Sequence, residues 1–300
     1  MLSTPRLAEL PVPPARRTGW PWTEASPALH ADSHWPRLTV VTPSYNQAAF
    51  LEETLRSVLL QGHAGLEYLV MDGGSQDGSA DLIRRYAPWL AGWVSERDAG
   101  QAAAINCGLR QATGEVLAWL NSDDAYLPGA VETVMQVFAK RPEVDVVYGS
   151  AVFVNEAGEQ VGRYEGRPLA RGVRRMQYWK GWPLPQPTAF FRRRLLDEYG
   201  LLDESLHYAV DYEWFVRLSQ RARLECVDAT LATYRLHTHS KTGQWDNNKR
   251  RFYAECRRVN LRYAPPLRPR SWPLWLAHVW DNARYRLRRK ATGQRLNGGE

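Results

Sequence analysis

The chain has 300 residues, 44% of them hydrophobic, which is enough for one large domain with appendages, and no apolar run approaches bilayer-spanning length. The formal net charge of +7 is uneven: residues 249–300 hold fourteen Lys and Arg against three Asp and Glu, and the rest holds 25 against 29. The three cysteines, Cys107, Cys226 and Cys256, lie far apart, which excludes a disulfide framework or a zinc-ligand spacing and predicts a reducing, cytoplasmic setting.

Residues 1–37 hold seven prolines and little periodicity; they are expected to form an extended, mostly disordered arm. No apolar leader precedes the first charges. Order begins at the β-branched run Leu38-Thr-Val-Val-Thr42, which stops at Pro43-Ser44-Tyr45-Asn46. Leu51, Leu55, Val58 and Leu59 then recur at helical spacing. A second strand, Glu67–Met71, ends in Asp72-Gly-Gly-Ser-Gln-Asp-Gly-Ser79, and a helix covers 80–86. Gly92–Ser95 is a third strand, Gln101–Ala112 a helix, and Val116–Leu120 a fourth strand that ends on Asn121-Ser122-Asp123-Asp124. Strand and helix alternating at this spacing predict an α/β fold, a parallel sheet with helices on both faces.

Beyond residue 139 the alternation changes. Val144–Gly149, Ala151–Asn155 and Glu159–Tyr164 read as short strands, with Asn155-Glu-Ala-Gly158 as a hairpin turn. The stretch from Gly166 to Pro187 carries five basic residues and no acid; a loop of that length is expected to cover a crevice and touch a second substrate. Pro187–Phe191 reads as a strand, Arg194–Tyr199 as a short helix, and Asp211 opens a further helix. Leu224–Leu236 is strand-like and ends in His237-Thr-His239. A last helix, 245–263, starts the basic tail. Trp272–Trp280 then precedes Arg284–Lys290, an aromatic-then-cationic order that suits an anionic membrane surface. No nucleic-acid reader motif accompanies the charge, so no nucleic acid is expected as a partner.

The polar clusters all follow strands. Four loops at one sheet edge make one crevice, where α/β proteins bind ligands. Asp123 and Asp124, side by side at a buried strand end, need a cation or a proton to neutralise them. A hard divalent ion with oxygen ligands would do so, and capping of the following helix is the alternative use. Asp72 could accept from a base or ribose, or serve only the Asp-Gly turn. Neither a dinucleotide fingerprint nor a phosphate-loop motif is present.

These motifs together resemble the family 2 glycosyltransferases of the GT-A (nucleotide-diphospho-sugar transferase) fold, and most of all the members that build bacterial surface polysaccharides. The resemblance covers roughly residues 38–241. It implies a mostly parallel central sheet in a catalytic domain over 38–245, with 246–300 as a basic, aromatic helical extension. Thr42, Pro43, Ser44, Tyr45 and Asn46 resemble the family's first nucleotide-contacting loop. Asp72 and Gly73 resemble the loop that contacts the base, and Asp98, Gln101 and Asn106 a motif near the nucleotide and donor sugar. Asn121-Ser122-Asp123-Asp124 sits at the metal-binding carboxylate motif, and His237 at a histidine close to metal or diphosphate. Asp211 sits where the family has the carboxylate that deprotonates the acceptor, with Glu213 as fallback.

The resemblance implies Mn²⁺ or Mg²⁺ as cofactor and a nucleotide-sugar donor, with UDP as the expected nucleotide. The acceptor would be a glycan or lipid-linked hydroxyl, and configuration would be inverted. Two departures stand out. Asn121 replaces the first Asp of the usual motif, and Val210 stands where many members have Glu. The Q-x-x-R-W motif of processive synthases is absent, which favours transfer of a single sugar. A sugar nucleotidyltransferase and an inactive nucleotide-sugar binder are the alternative readings.

Overall fold

The computed structural model describes residues 4–29, 35–169, 182–264, 269–277 and 279–280. Four parallel strands form its first half: β1 (Leu38–Ser44), β2 (Leu66–Asp72), β3 (Gly92–Ser95) and β4 (Val116–Trp119). The crossovers are α1 (Ala48–Leu59), α2 (Ser79–Tyr86) and α3 (Gln101–Gln111). After β4 come the two-residue β5 (Ala125–Tyr126) and α4 (Ala130–Lys140). The second half supplies β6 (Val146–Val154), β7 (Gln160–Tyr164), β8 (Phe190–Arg192), α5 (Arg194–Tyr199), α6 (Val210–Leu218), β9 (Leu224–Arg235) and α7 (Trp245–Tyr263). The nine strands of the described residues join one sheet in the order β3-β2-β1-β4-β8-β6-β9-β5, with β7 paired to β6. The sheet is mixed, because β8 runs antiparallel to both β4 and β6.

Every residue of β1 and β4 is buried, so these strands carry apolar side chains on both faces. Val40, Val116 and Ala118 pack with Leu55 of α1 and Val134 of α4. Val41, Leu117 and Trp119 pack with Ile105 of α3 and Phe215 of α6. The period-two alternation along each strand thus feeds two cores, one on each side of the sheet. The approach of α3 to β1 needs Gly108: a Cβ there would lie 2.4 Å from Val41 Cγ1.

Four expectations change. The Pro-rich arm is irregular but not loose over 4–29. It straps across α1, with Leu10 and Trp22 buried. Arg56, 1% exposed, donates from Nε to the Pro21 carbonyl and from its terminal nitrogens to those of Pro11 and Trp22, each at 2.9 Å. The guanidinium satisfies carbonyls that have no ladder of their own, a need that composition does not reveal. Next, the two short strands expected over 144–155 are one strand, β6. The pairing with β9 slips between Tyr148 and Ala151, where β9 presses on Gly149; a Cβ there would meet the Ala229 carbonyl at 2.5 Å. Third, Pro187 lies in a 3-10 turn over Gln186–Thr188, and only Phe190–Arg192 is strand. Proline cannot donate to a ladder, so the strand starts after it.

Finally, α7 is not an appendage. Cys256 and Val259 join the core that holds α3 and α6, and Tyr212 of α6 donates to Asn260 Oδ1 at 2.7 Å. Residues 170–181 of the expected covering loop and the basic run 284–290 lie outside the described residues. No described helix is long and apolar enough to cross a membrane, and all three cysteines are free.

Arg56→Ala should orphan the buried carbonyls of Pro21 and Trp22 and the partly buried one of Pro11, and cost about 3 kcal/mol. The check is a lower urea midpoint, with strap cleavage in limited proteolysis appearing earlier than in wild type.

Candidate active site

The loops after β1, β2, β3 and β4 open onto one cavity of about 820 Å³. The start of α6 and the segment after β9 close its other side. Pro43, Ser44, Tyr45, Gly73, Asp98, Gln101, Asn121, Ser122, Asp123, Asp124 and Asp211 all line it. The sequence-predicted set therefore converges from five separate segments.

Five predicted residues serve the walls from behind. Thr42 is fully buried, its hydroxyl 2.9 Å from that of Tyr68. Asn46, held at φ +52°, accepts from Gln76 N at 2.9 Å and donates its own N–H to Ser75 Oγ at 2.7 Å, so it ties the first loop to the second. Asp72 accepts from Ser75 N, Ser75 Oγ and Ser95 Oγ at 2.6–2.9 Å, which ties the second loop to the third. Asn106 faces away, bonded to both Leu202 backbone groups and to Glu204. It holds the segment ahead of α6 in place. His237 is buried beneath Phe50 and meets Asp123 Oδ2 through Nε2 at 3.0 Å.

The two adjacent carboxylates have opposite surroundings. Asp124 is 2% exposed and accepts the Arg235 backbone N–H at 2.9 Å. Burial, followed by the charge of Asp123, pushes its carboxyl well above the usual range, and Arg235 opposes this. Arg235, equally buried, donates to the Asp123 carbonyl at 3.0 Å and pairs with Glu53 at 2.9 Å. Asp124 thus braces the loop, while the Asp123 side chain, 17% exposed, is the member beside His237.

Among the described residues, no group of three His, Cys, Asp or Glu side chains could hold an ion alone. Asp123 and His237 offer one oxygen and one nitrogen, a pair that fits a divalent ion completed by ligand oxygens. An imidazole in the pair suits Mn²⁺ better than Mg²⁺, which takes oxygen donors. Asn121 is already engaged: its Oδ1 accepts from Gln101 Nε2 at 2.7 Å, and its Nδ2 donates to Gln186 Oε1 at 3.2 Å.

Asp211 stands one residue inside the start of α6, half-buried. Burial raises its carboxyl above the usual range, while the Tyr212 N–H and the Lys241 ammonium pull it down. Lys241 is lowered by burial and held up by Asp211, Glu255 and Asp123. Ser44 Oγ is buried at the cavity wall with no protein partner among the described residues. Such an orphan hydroxyl suits a ligand contact. Glu213, the fallback base, is unavailable: it is 1% exposed and bonded to Tyr263 and Arg217.

Sequence reading missed three supports. Lys241 ends the polar run that follows β9, a signal that was readable. Gln186 sits in a Pro-rich stretch without periodicity and gave none. Glu255 reads as one more charge on a basic helix. Its carboxylate nevertheless accepts from the N–H groups of His207, Tyr208 and Ala209 at 2.8–3.1 Å, and so anchors the turn that delivers Asp211.

Comparison with known proteins bears on the family and the fold. The family described as Glycosyl transferase family 2 matches residues 39–200. An uncharacterized glycosyltransferase of Nostoc sp. is 29% identical over 56% of this chain and 54% of its own. The chain thus spans about half the length of that relative. An uncharacterized glycosyltransferase of Mycobacterium tuberculosis is 26% identical over 82% of this chain and 96% of its own. Among solved structures, S. aureus TarS in complex with UDP-GlcNAc superposes with TM-score 0.60 at 20% identity, covering 75% of this chain and 66% of that one. A mannosyltransferase from Pyrobaculum calidifontis, in complex with GDP-Man and Mn²⁺, gives 0.57 at 21% identity, over 90% and 84%. Both likenesses show the fold.

Glu255→Ala should loosen the turn before α6. Amide exchange at Tyr208 and Ala209 is expected to speed up about tenfold or more, with α3 amides unchanged; equal protection in both proteins would remove the anchoring role.

Proposed function

The chain belongs to glycosyl transferase family 2, and on that premise we propose that it moves one sugar from a nucleotide-diphosphate sugar to an acceptor hydroxyl with inversion at the anomeric carbon. The observation that carries this reading is a single cavity with Asp123 beside His237 on one wall and a raised-pKa Asp211 on another. The donor nucleotide fits the loops after β1 to β3, where the orphan Ser44 hydroxyl lies. UDP is the expected nucleotide.

In the proposed step the acceptor oxygen attacks the anomeric carbon as its proton passes to an Asp211 carboxylate oxygen. The new carbon–oxygen bond forms on one face while the bond to the diphosphate breaks on the other. Its electron pair leaves with the nucleoside diphosphate. One displacement inverts the configuration. Asp123 and His237 would hold a divalent ion, Mn²⁺ before Mg²⁺, and when bound it would supply Lewis-acid stabilisation of the leaving diphosphate. The protein's own part is to keep Asp211 oriented through the Tyr212 N–H and the Glu255 anchor, and ionised at working pH through Lys241.

The acceptor is proposed to be a glycan or lipid-linked hydroxyl met at a membrane surface. Residues 272–277 and 279–280 are helical, and Trp272, Leu276, Val279 and Trp280, each at least 56% exposed, recur on one helical face. Five basic residues follow between 284 and 290. Trp side chains with adjoining cations suit an anionic headgroup layer.

Asp211→Asn should lower kcat by about a hundredfold or more while nucleotide affinity survives; unchanged turnover would remove Asp211 as the base. Wild-type kcat/KM should fall as pH drops through the raised Asp211 pKa, because the base must be ionised. A folded-state pKa above the unfolded one gives stability that is lost as pH rises through it. The Asn variant is therefore expected to melt no lower than wild type at pH 7. Truncation after residue 271 should abolish sedimentation with phosphatidylserine vesicles; undiminished binding would end the membrane reading.

A further inference from the structure

The Lys241 ammonium lies in the cavity wall. It donates to Gln101 Oε1 at 2.8 Å and to the His207 carbonyl at 2.6 Å. Gln101 donates onward to Asn121 Oδ1 at 2.7 Å. A relay therefore runs from the segment after β9 to the loop after β4, and it passes through the residue that replaces the usual first acid. An ammonium has three donors; no third acceptor occurs among the described residues. Among the described residues, the other Arg side chains that line the cavity are differently placed. Arg235 is committed to Glu53, Asp123 and Asn155, and Arg97 is exposed.

We propose that Lys241 is a phosphate-binding residue: its third N–H takes an oxygen of the donor's diphosphate, with Gln101 and Asn121 holding the ammonium in place. This rests on the reading of the cavity as a nucleotide-diphosphate site. With Asn121 in place of an acid and Asp124 buried and bonded to the Arg235 N–H, Asp123 is the carboxylate of that loop most open to an ion. Less charge is available to hold a cation by carboxylates alone, and a fixed protein cation beside Asp123 and Asp211 supplies part of what the diphosphate needs. The same contact strengthens as the leaving group gains charge.

The test compares wild type, Lys241→Met, Lys241→Arg and Gln101→Leu by calorimetry with UDP and GDP, each in EDTA and in Mn²⁺. Uridine and guanosine binding is followed by ligand-observed NMR. Expected is a loss of tenfold or more in diphosphate affinity in EDTA for Lys241→Met. Nucleoside binding should be unchanged, most affinity should return in Lys241→Arg, and Gln101→Leu should show a smaller loss. Equal affinity of Lys241→Met and wild type in EDTA overturns the proposal, as does wild-type binding that needs Mn²⁺ absolutely. A parallel loss of nucleoside binding in Lys241→Met overturns it too, since that marks a structural role. Wild type that binds neither nucleotide under any condition sinks the underlying reading of the cavity instead.

Discussion

The buried guanidinium of Arg235 is the constraint on which the site depends. Two neighbouring carboxylates at the end of a buried strand cannot both face inward, because desolvation and mutual repulsion add. Arg235 separates them. Its backbone N–H takes Asp124, its side chain takes the Asp123 carbonyl and Glu53, and the loop after β4 has one arrangement left. Asp124 becomes a brace and Asp123 is left beside His237, a division of labour between residues that look equivalent in sequence.

The opposite wall is built by a different device. α6 needs acceptors for the N–H groups at its start, and its flanking residue Ala209 has no side chain that can cap it. Glu255 on α7 accepts from the turn just before α6, residues 207–209, from a distance of 46 to 48 positions along the chain, and the Asp211 carboxylate itself takes the Tyr212 N–H. The core between α6 and α7 makes the arrangement rigid, and Asp211 inherits that rigidity. Asn106 completes the frame by fixing residues 202–204 against α3. The cavity therefore depends on elements from both halves of the sheet, and the relay from Lys241 through Gln101 to Asn121 joins them across it.

The parallel half of the fold was legible because its strands are apolar on both faces and its crossover helices are strongly periodic. Loop ends after such strands share one sheet edge by geometry, so the convergence of Pro43, Gly73, Asp98 and Asn121 follows from order alone. What lay beyond residue 144 was harder to read. β6 joins two expected strands because the slip that accommodates Gly149 occurs in its partner, and a partner's bulge leaves no mark on the strand itself. The proline-rich strap looked unstructured because its hydrogen bonds go to distant partners, Arg56 on α1 above all, and not to a ladder of its own.

The sequence by itself determined the α/β class, the order of the first four strands, and which polar residues stand at their ends, since these follow from local periodicity and chain direction. Only the tertiary structure decided which residues face the cavity and which serve from behind. Asp72 and Asn106 carry the same chemistry as Asp98 and Asn121 and differ only in what packs around them; Asp124, on the same wall as Asp123, differs from it in the same way. Burial and hydrogen-bond partners are long-range properties, set here by Ser95, Leu202 and Arg235, and no local pattern encodes them.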